Sequence, residues 1–300
     1  MITWNREEKD ALKGRFITPT VCHFILNNTI RRITYNTKLL LWNTYIFNNS
    51  DTDNIINIQN MMIQRALDFQ KRSEQDDTQM KIYWFPTEFK KQIPTNKSSL
   101  DVEEINSACT FHFPENSFIA IYRLEEAPKV LYHELIHYFE LDNIIPIDED
   151  QEYIKRFNLR SPCLLRETYC EIMGLLLNIE DISKRQDEDF DKLYKIEYAF
   201  SLLQTQKILD FFNIRNEREF NRLISNTNVF TYFILKTAML LSIKNPLNFL
   251  KQMEMNKFRL HSLDFLKMNI NNGMTVLFRL NVKINDIPYL KNTLRMTIIE

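Results

Sequence analysis

Glycine is almost absent. Gly14, Gly174 and Gly273 are the only three in 300 residues, and no Pro/Gly-rich linker, low-complexity tract or internal repeat marks a boundary. Asparagine and isoleucine are plentiful instead, the coding bias of an AT-rich genome. Asparagine is therefore expected to replace glycine at turns and helix ends that need a left-handed residue. Cysteine is also scarce: Cys22, Cys109, Cys163 and Cys170 form no CxxC pair and no dense framework. They read as reduced core thiols of an intracellular protein, although an even count leaves disulfides open. The opening MITWNREEKDALKGR is charged where a secretory signal needs an apolar run, so export by that route is not expected and the cytoplasm is the expected compartment. Long hydrophobic runs are missing. Phe230 to Ile243, the most apolar stretch, contains Lys236 and falls short of the roughly 20 residues that span a bilayer, so a buried helix and no membrane span is expected there. The net charge is -1, and basic and acidic residues are spread along the chain, which argues against nucleic acid as the main partner. Nothing in the sequence sets an oligomeric state.

What is present is material for a core. Apolar residues make up 44% of the chain and aromatics 12%, with little self-repulsion, so a folded rather than a disordered chain is expected. Residues 53 to 73 place Ile55, Ile58, Met62, Ala66 and Phe69 at helical spacing after an acidic start. Three short segments rich in aromatic and β-branched residues follow, Lys81 to Phe85, Ala108 to Phe113 and Ser117 to Leu124, the last two joined by a hairpin turn at Pro114-Glu115-Asn116. From Ala127 the spacing predicts a helix to about Leu141, with Pro128 in its first turn and Asn143 as its stop. Ser161-Pro162 reads as an N-cap and first-turn proline opening a second helix to about Asn178. Helical segments near 190 to 213, 217 to 226 and 229 to 243 come after the charged stretch Asp181 to Asp191, and Met274 to Leu280 reads as a strand. The expected fold class is α+β: a small mixed sheet with an active-site helix in residues 1 to 184, then a mainly helical region, 185 to 300.

His133-Glu134-Leu135-Ile136-His137 matches H-E-x-x-H inside the segment with independent helical periodicity. Residues four apart share a helical face, so both imidazoles reach one zinc ion, and Glu134 is offset toward the water such an ion holds. A carboxylate there serves as general base. A catalytic zinc takes a third protein ligand. Glu167 and Glu171 stand four apart on the second helix, so Glu167 is the candidate third ligand and Glu171 the candidate acceptor of a histidine's free ring N–H. The alternative reading is that both glutamates are solvated surface charges. Cys163 and Cys170, on the face of Glu167, are packing residues or thiolate ligands, with carboxylate the better fit to a catalytic site. His112 and His23 read as core or strand histidines. His261, Tyr198 and Tyr232 are candidates for an oxyanion donor, or ordinary packing.

Strand, short turn, His-Glu-x-x-His helix and a glutamate on the following helix together resemble the gluzincin branch of the zincin metallopeptidases. That family commonly carries Glu-x-x-x-Asp where this chain has Glu167-x-x-x-Glu171. A metzincin-like pattern fits worse, since Glu140 and Asn143 stand where glycine and histidine or aspartate are wanted, and Asp142 falls one residue early. The phrase Ile-Tyr-Arg-Leu-Glu-Glu before the helix is similar to uncharacterised metallopeptidase-like proteins of large DNA viruses over roughly residues 105 to 175. The resemblance implies a zincin-like fold, a Zn2+ cofactor, a peptide or protein substrate and, for a viral protein, host cytoplasm or virion as its place. It also suggests that Ser117 to Leu124 is the edge strand along which a peptide lies, although poor alternation reads equally as a fully buried strand. Two other readings stay open: a zincin fold retained without activity as a structural or interaction protein, in a virion for instance, and a metal-free helical binding module.

Overall fold

The computed structural model describes residues 3–75, 78–113, 116–143, 149–260, 262–279 and 288–299. In chain order the elements are α1 (Arg6–Ala11), α2 (Pro19–Asn28), β1 (Thr29–Asn36), β2 (Leu40–Phe47), α3 (Thr52–Arg72), β3 (Met80–Thr87), α4 (Val102–Ile105), β4 (Ala108–Phe111), β5 (Phe118–Arg123) and α5 (Ala127–Tyr138). Then follow α6 (Glu149–Phe157), α7 (Leu165–Gln186), α8 (Phe190–Phe211), a 3-10 turn (Glu217–Arg222), a π-helical turn (Phe230–Leu235), α9 (Lys236–Ser242), α10 (Pro246–Met255), α11 (Leu263–Leu277) and α12 (Pro288–Asn292). This is a mixed α+β architecture with one five-stranded sheet. No helix among the described residues is long and apolar enough to cross a membrane.

The chain falls into two compact units, Met1–Lys90 with Asn106–Glu140, and Lys91–Ile105 with Leu141–Glu300. The expected division at residue 184 differs from this one. Position 184 lies inside α7, a 22-residue helix that packs on α8, the π-helical turn, α9 and α10, so that packing runs through the expected boundary.

The first unit is built on the sheet, in the order β1-β2-β3-β5-β4. Strands β2, β3 and β5 run parallel, and β1 and β4 flank them antiparallel. Side chains alternate across a strand, so Tyr45, Phe47, Tyr83, Phe85, Phe118, Ala120 and Tyr122 share one buried cluster with Ala11, Val21 and Ile25 of α1 and α2. On the alternate positions Trp42 and Trp84 meet edge to face with ring centroids 6.4 Å apart, and helices α3 and α5 pack against β2, β4 and β5. With both faces covered, every residue of β5 is buried. That explains the weak alternation of Ser117 to Leu124 and corrects the edge-strand expectation: β5 lies between β3 and β4, and β4 is the edge. Helix α3 matches the expected span and is capped by Asp51, which accepts from the Asn54 N–H at 3.1 Å. Strands β1 and β2 and helix α2 had no counterpart in the sequence reading. The expected hairpin turn falls partly on Pro114 and Glu115, outside the described residues, while β4 and β5 do pair antiparallel.

The second unit is helical. Met274–Leu277 lies within α11, which corrects the expected strand; Leu280 lies outside the described residues. The cause is Gly273: a Cβ there would stand 1.6 Å from the Ala238 carbonyl oxygen, so glycine lets α11 press onto the backbone of α9. Residues 217–222 form the 3-10 turn rather than a longer helix. Helix α7 starts four residues after Ser161, because its leading N–H is taken from a distance by Asp150, whose Oδ1 accepts from Leu165 N at 2.8 Å. It runs through the charged stretch to Gln186 and stops at left-handed Asp187. Among the described residues eight non-glycine positions have positive φ, from Glu74 to Phe258; only Asn158 and Asn213 are asparagines, and three are glutamates. The expected asparagine substitution is thus a minority solution. Such residues cost on the order of 1–2 kcal/mol each, and most close a helix C-terminus.

Side chains of α7, α8 and α9 hold residues 290–299. Lys207 Nζ donates to the Leu290 carbonyl at 2.7 Å and to that of Thr293, Lys236 Nζ to that of Met296 at 3.1 Å, and Asn178 to that of Ile299 at 3.1 Å. Glu197 accepts from the Thr297 hydroxyl and from the backbone N–H groups of Ile298 and Ile299 at 2.9 and 2.7 Å.

Two outcomes test this packing. Gly273→Ala, which in an open helix would gain about 0.5–1 kcal/mol, is expected to lose roughly 1–3 kcal/mol or more in denaturant unfolding because α9 must move; a neutral or stabilising result would contradict the helix contact. Burial pushes the Lys207 ammonium down to about 8 from its ordinary 10.5. Between those values the unfolded chain binds more protons than the folded one, so this group's contribution to stability increases as pH rises through that window. The stability difference between wild type and Lys207→Met is expected to be larger near pH 9.5 than near pH 7.5, and a flat difference would refute the lowered value.

Candidate metal centre

Helix α5 is buried almost all round. Ala127, Leu131, Leu135 and Ile136 are fully buried, and His133 and Glu134 are each 6% exposed. Its ends are sharp: Glu126 before it (φ 62) and Glu140 after it (φ 53) are left-handed, and Pro128 sits in the first turn as expected. The helix ends at Tyr138, three residues short of the expected Leu141 and before Asn143, because the left-handed Glu140 breaks it.

On this helix the spacing of four does what it implies. The Nε2 atoms of His133 and His137 lie 3.2 Å apart, with ring centroids at 4.9 Å and ring planes at 68°. Two imidazole nitrogens bound at 2.0–2.1 Å to one tetrahedral zinc stand about 3.3 Å from each other. The donor pair therefore fits zinc, and both nitrogens must be unprotonated to bind it.

Glu134 is fixed from the edge strand. The Thr110 hydroxyl on β4 lies 2.7 Å from Glu134 Oε2 and 3.1 Å from the Glu134 carbonyl oxygen. One hydroxyl proton serves one acceptor at a time, and the shorter, charge-assisted contact to the carboxylate is the stronger. Nothing in the sequence pointed to Thr110, which lies 24 residues before the carboxylate it meets.

Glu167 occupies the first turn of α7, half-buried, with its N–H donating to the Leu164 carbonyl at 3.0 Å. Glu171 is buried, 4.0 Å from Lys236 Nζ, so it is no solvated surface charge. The described residues include side chains able to take a metal ion, His133 and His137 in the first unit and Glu167, Asp142 and Cys170 in the second, of which Asp142 and Cys170 are buried. Burial pushes the Cys163 thiol up to about 12, against thiolate ligation.

His112 and His23 are exposed rather than buried, which corrects their reading as core or strand residues: His112 follows β4 with its Nδ1 4.0 Å from Glu140, and His23 lies on the open face of α2. Tyr198 stacks on Tyr194 with centroids 6.2 Å apart, a packing role. Tyr232 lies in the π-helical turn, and His261 lies outside the described residues. No protein-family model, curated protein or solved structure matches the chain.

The grip of Thr110 on Glu134 is measurable without any substrate. A double-mutant cycle of Thr110→Val and Glu134→Gln in denaturant unfolding is expected to give a coupling of about 1 kcal/mol or more. Additive single effects would mean that the two side chains do not meet in solution.

Proposed function

We propose that the chain is a gluzincin-like zinc peptidase that hydrolyses an amide bond of a peptide or protein. The observation that carries this reading is the convergence of the His133 and His137 Nε2 atoms at 3.2 Å on the helix whose Glu134 is held by Thr110. His133, His137 and Glu167 would hold the metal, which supplies an acidified water and polarises a carbonyl. The chain's own residues supply the rest. Thr110 holds Glu134 Oε2 and leaves Oε1 to receive the proton of the attacking water. The same carboxyl then delivers that proton to the departing amine as the C–N bond breaks. Glu171 would accept a histidine ring N–H and fix that ring's orientation, with Lys236 balancing its charge. An extended substrate would add as a further strand along β4, the edge strand that packs beside the helix.

Asp142 and Cys170, buried side chains of metal-ligand type, favour a second reading in which they and a histidine would hold the metal. Structural zinc sites are closed and catalytic ones keep an open position, so a metal held there would make the protein a zincin-like structural or interaction protein without activity.

Metal analysis by mass spectrometry separates the two. About one zinc per chain is expected, lost in His133→Ala and Glu167→Ala and retained in Cys170→Ser; the reverse pattern would favour the structural site, and no zinc even after loading would end both readings. Glu134→Gln is expected to keep its zinc while cleavage of a mixed peptide library falls by about 10²–10⁴-fold. Cleavage unchanged by that substitution would remove Glu134 from the chemistry.

A further inference from the structure

We propose that the second unit carries a binding site for a small phosphorylated ligand, independent of the metal centre. A cavity of about 670 Å³ there is lined by Arg160, Arg218, Arg222, Glu219 and Ile224, among others. That volume falls in the range of small-molecule sites. Two features bring the lining together: Arg160 and Ile224 form a parallel backbone bridge, and Arg218 and Arg222 belong to the 3-10 turn.

The charges are not balanced. Glu219, the acid in the wall, is already engaged: its Oε1 lies 3.1 Å from Arg222 Nη1, and its Oε2 accepts from the Arg215 N–H at 2.6 Å. Arg222 is turned inward on the protein itself, donating also to the Asn213 carbonyl oxygen at 2.5 Å. Arg160 and Arg218 have no carboxylate partner among the described residues, although both line the cavity. Neighbouring Arg215 does find an acid, pairing with Asp210 at 2.7 Å. Two uncompensated guanidinium groups on one concave wall concentrate a positive field and present planar forks. A phosphate monoester matches both their charge and their geometry. Ile224, 45% exposed in the same wall, gives the organic part of such a ligand an apolar surface.

Calorimetric titration of the full chain with AMP, inorganic phosphate and adenosine tests the assignment. AMP is expected to bind one per chain, inorganic phosphate more weakly and adenosine not at all. Arg160→Ala and Arg218→Ala are each expected to weaken AMP binding about tenfold or more, while Arg215→Ala, whose guanidinium is paired with Asp210, leaves it unchanged. These arginines are exposed, so the variants are expected to melt as the wild type does. Arg218→Lys, keeping the charge without the fork, should fall between wild type and Arg218→Ala. No binding of AMP or phosphate at millimolar concentration, equal binding of adenosine, or AMP affinity unmoved in both alanine variants would overturn the site. Zinc content is unaffected by any of these outcomes, so failure here is separate from failure of the peptidase proposal.

Discussion

Two imidazole nitrogens facing each other across 3.2 Å on successive turns of one helix impose a demand on everything around them. Their rings cannot be left to choose rotamers, and the helix cannot rotate by even a fraction of a turn without parting them. Rotation is prevented because α5 is buried on nearly every side, with Leu131, Leu135 and Ile136 fully buried and Thr110 of the edge strand on Glu134. Each fully buried apolar side chain contributes about 1.5–3 kcal/mol. Those gains offset the cost of enclosing His133, Glu134 and Lys129 in the same short helix and Glu126 just before it. The sheet can bear this load because its central strands are covered on both faces, by the aromatic cluster and by α3 and α5.

Much of this could be read from residue order because it is local. The helix of His133 and His137 has its own periodicity and an early proline, and the relation of the two histidines depends only on 3.6 residues per turn. The spans of α3, β3, β5 and α8 followed from the same kind of evidence. What escaped depends on partners far away in sequence. Ser161 looks like a helix cap, but Asp150 does the capping, and no pattern in positions 161–165 records that. Met274–Leu277 carries β-branched and apolar residues that suit a strand; only the Ala238 backbone against Gly273 makes the segment helical. Thr110 has nothing unusual about it until β4 is laid beside α5. Whether β5 is an edge or a centre is likewise a property of strand order, which no single strand encodes.

The scarcity of glycine has a structural counterpart. Left-handed turns are made by Glu74, Glu126, Glu140, Asp187, Lys257 and Phe258 as well as by two asparagines. Each stores unfavourable backbone energy that only surrounding packing can sustain. Two of them, Glu126 and Glu140, bracket α5, so the helix with the converging histidines is started and stopped by residues that would not adopt those conformations alone. The ends of this helix are therefore determined by tertiary structure more than by intrinsic preference.

The pairing of distant segments within the second unit also sets an order of events during synthesis. Residues 91–105 belong to that unit, where Leu100 pairs beside Ser225 and Gln92 beside Thr293. As the chain emerges from the ribosome, everything the first unit needs is available once residue 140 is out, while residues 91–105 must wait for partners more than a hundred residues further on. Loop closure over such distances is slow. During that interval the helices of the second unit lack residues 290–299, and the buried groups of Glu197, Lys207 and Lys236 that hold them lie open to solvent. One chain thus holds an early-closing half and a late-closing half, and the second is the longer exposed during synthesis.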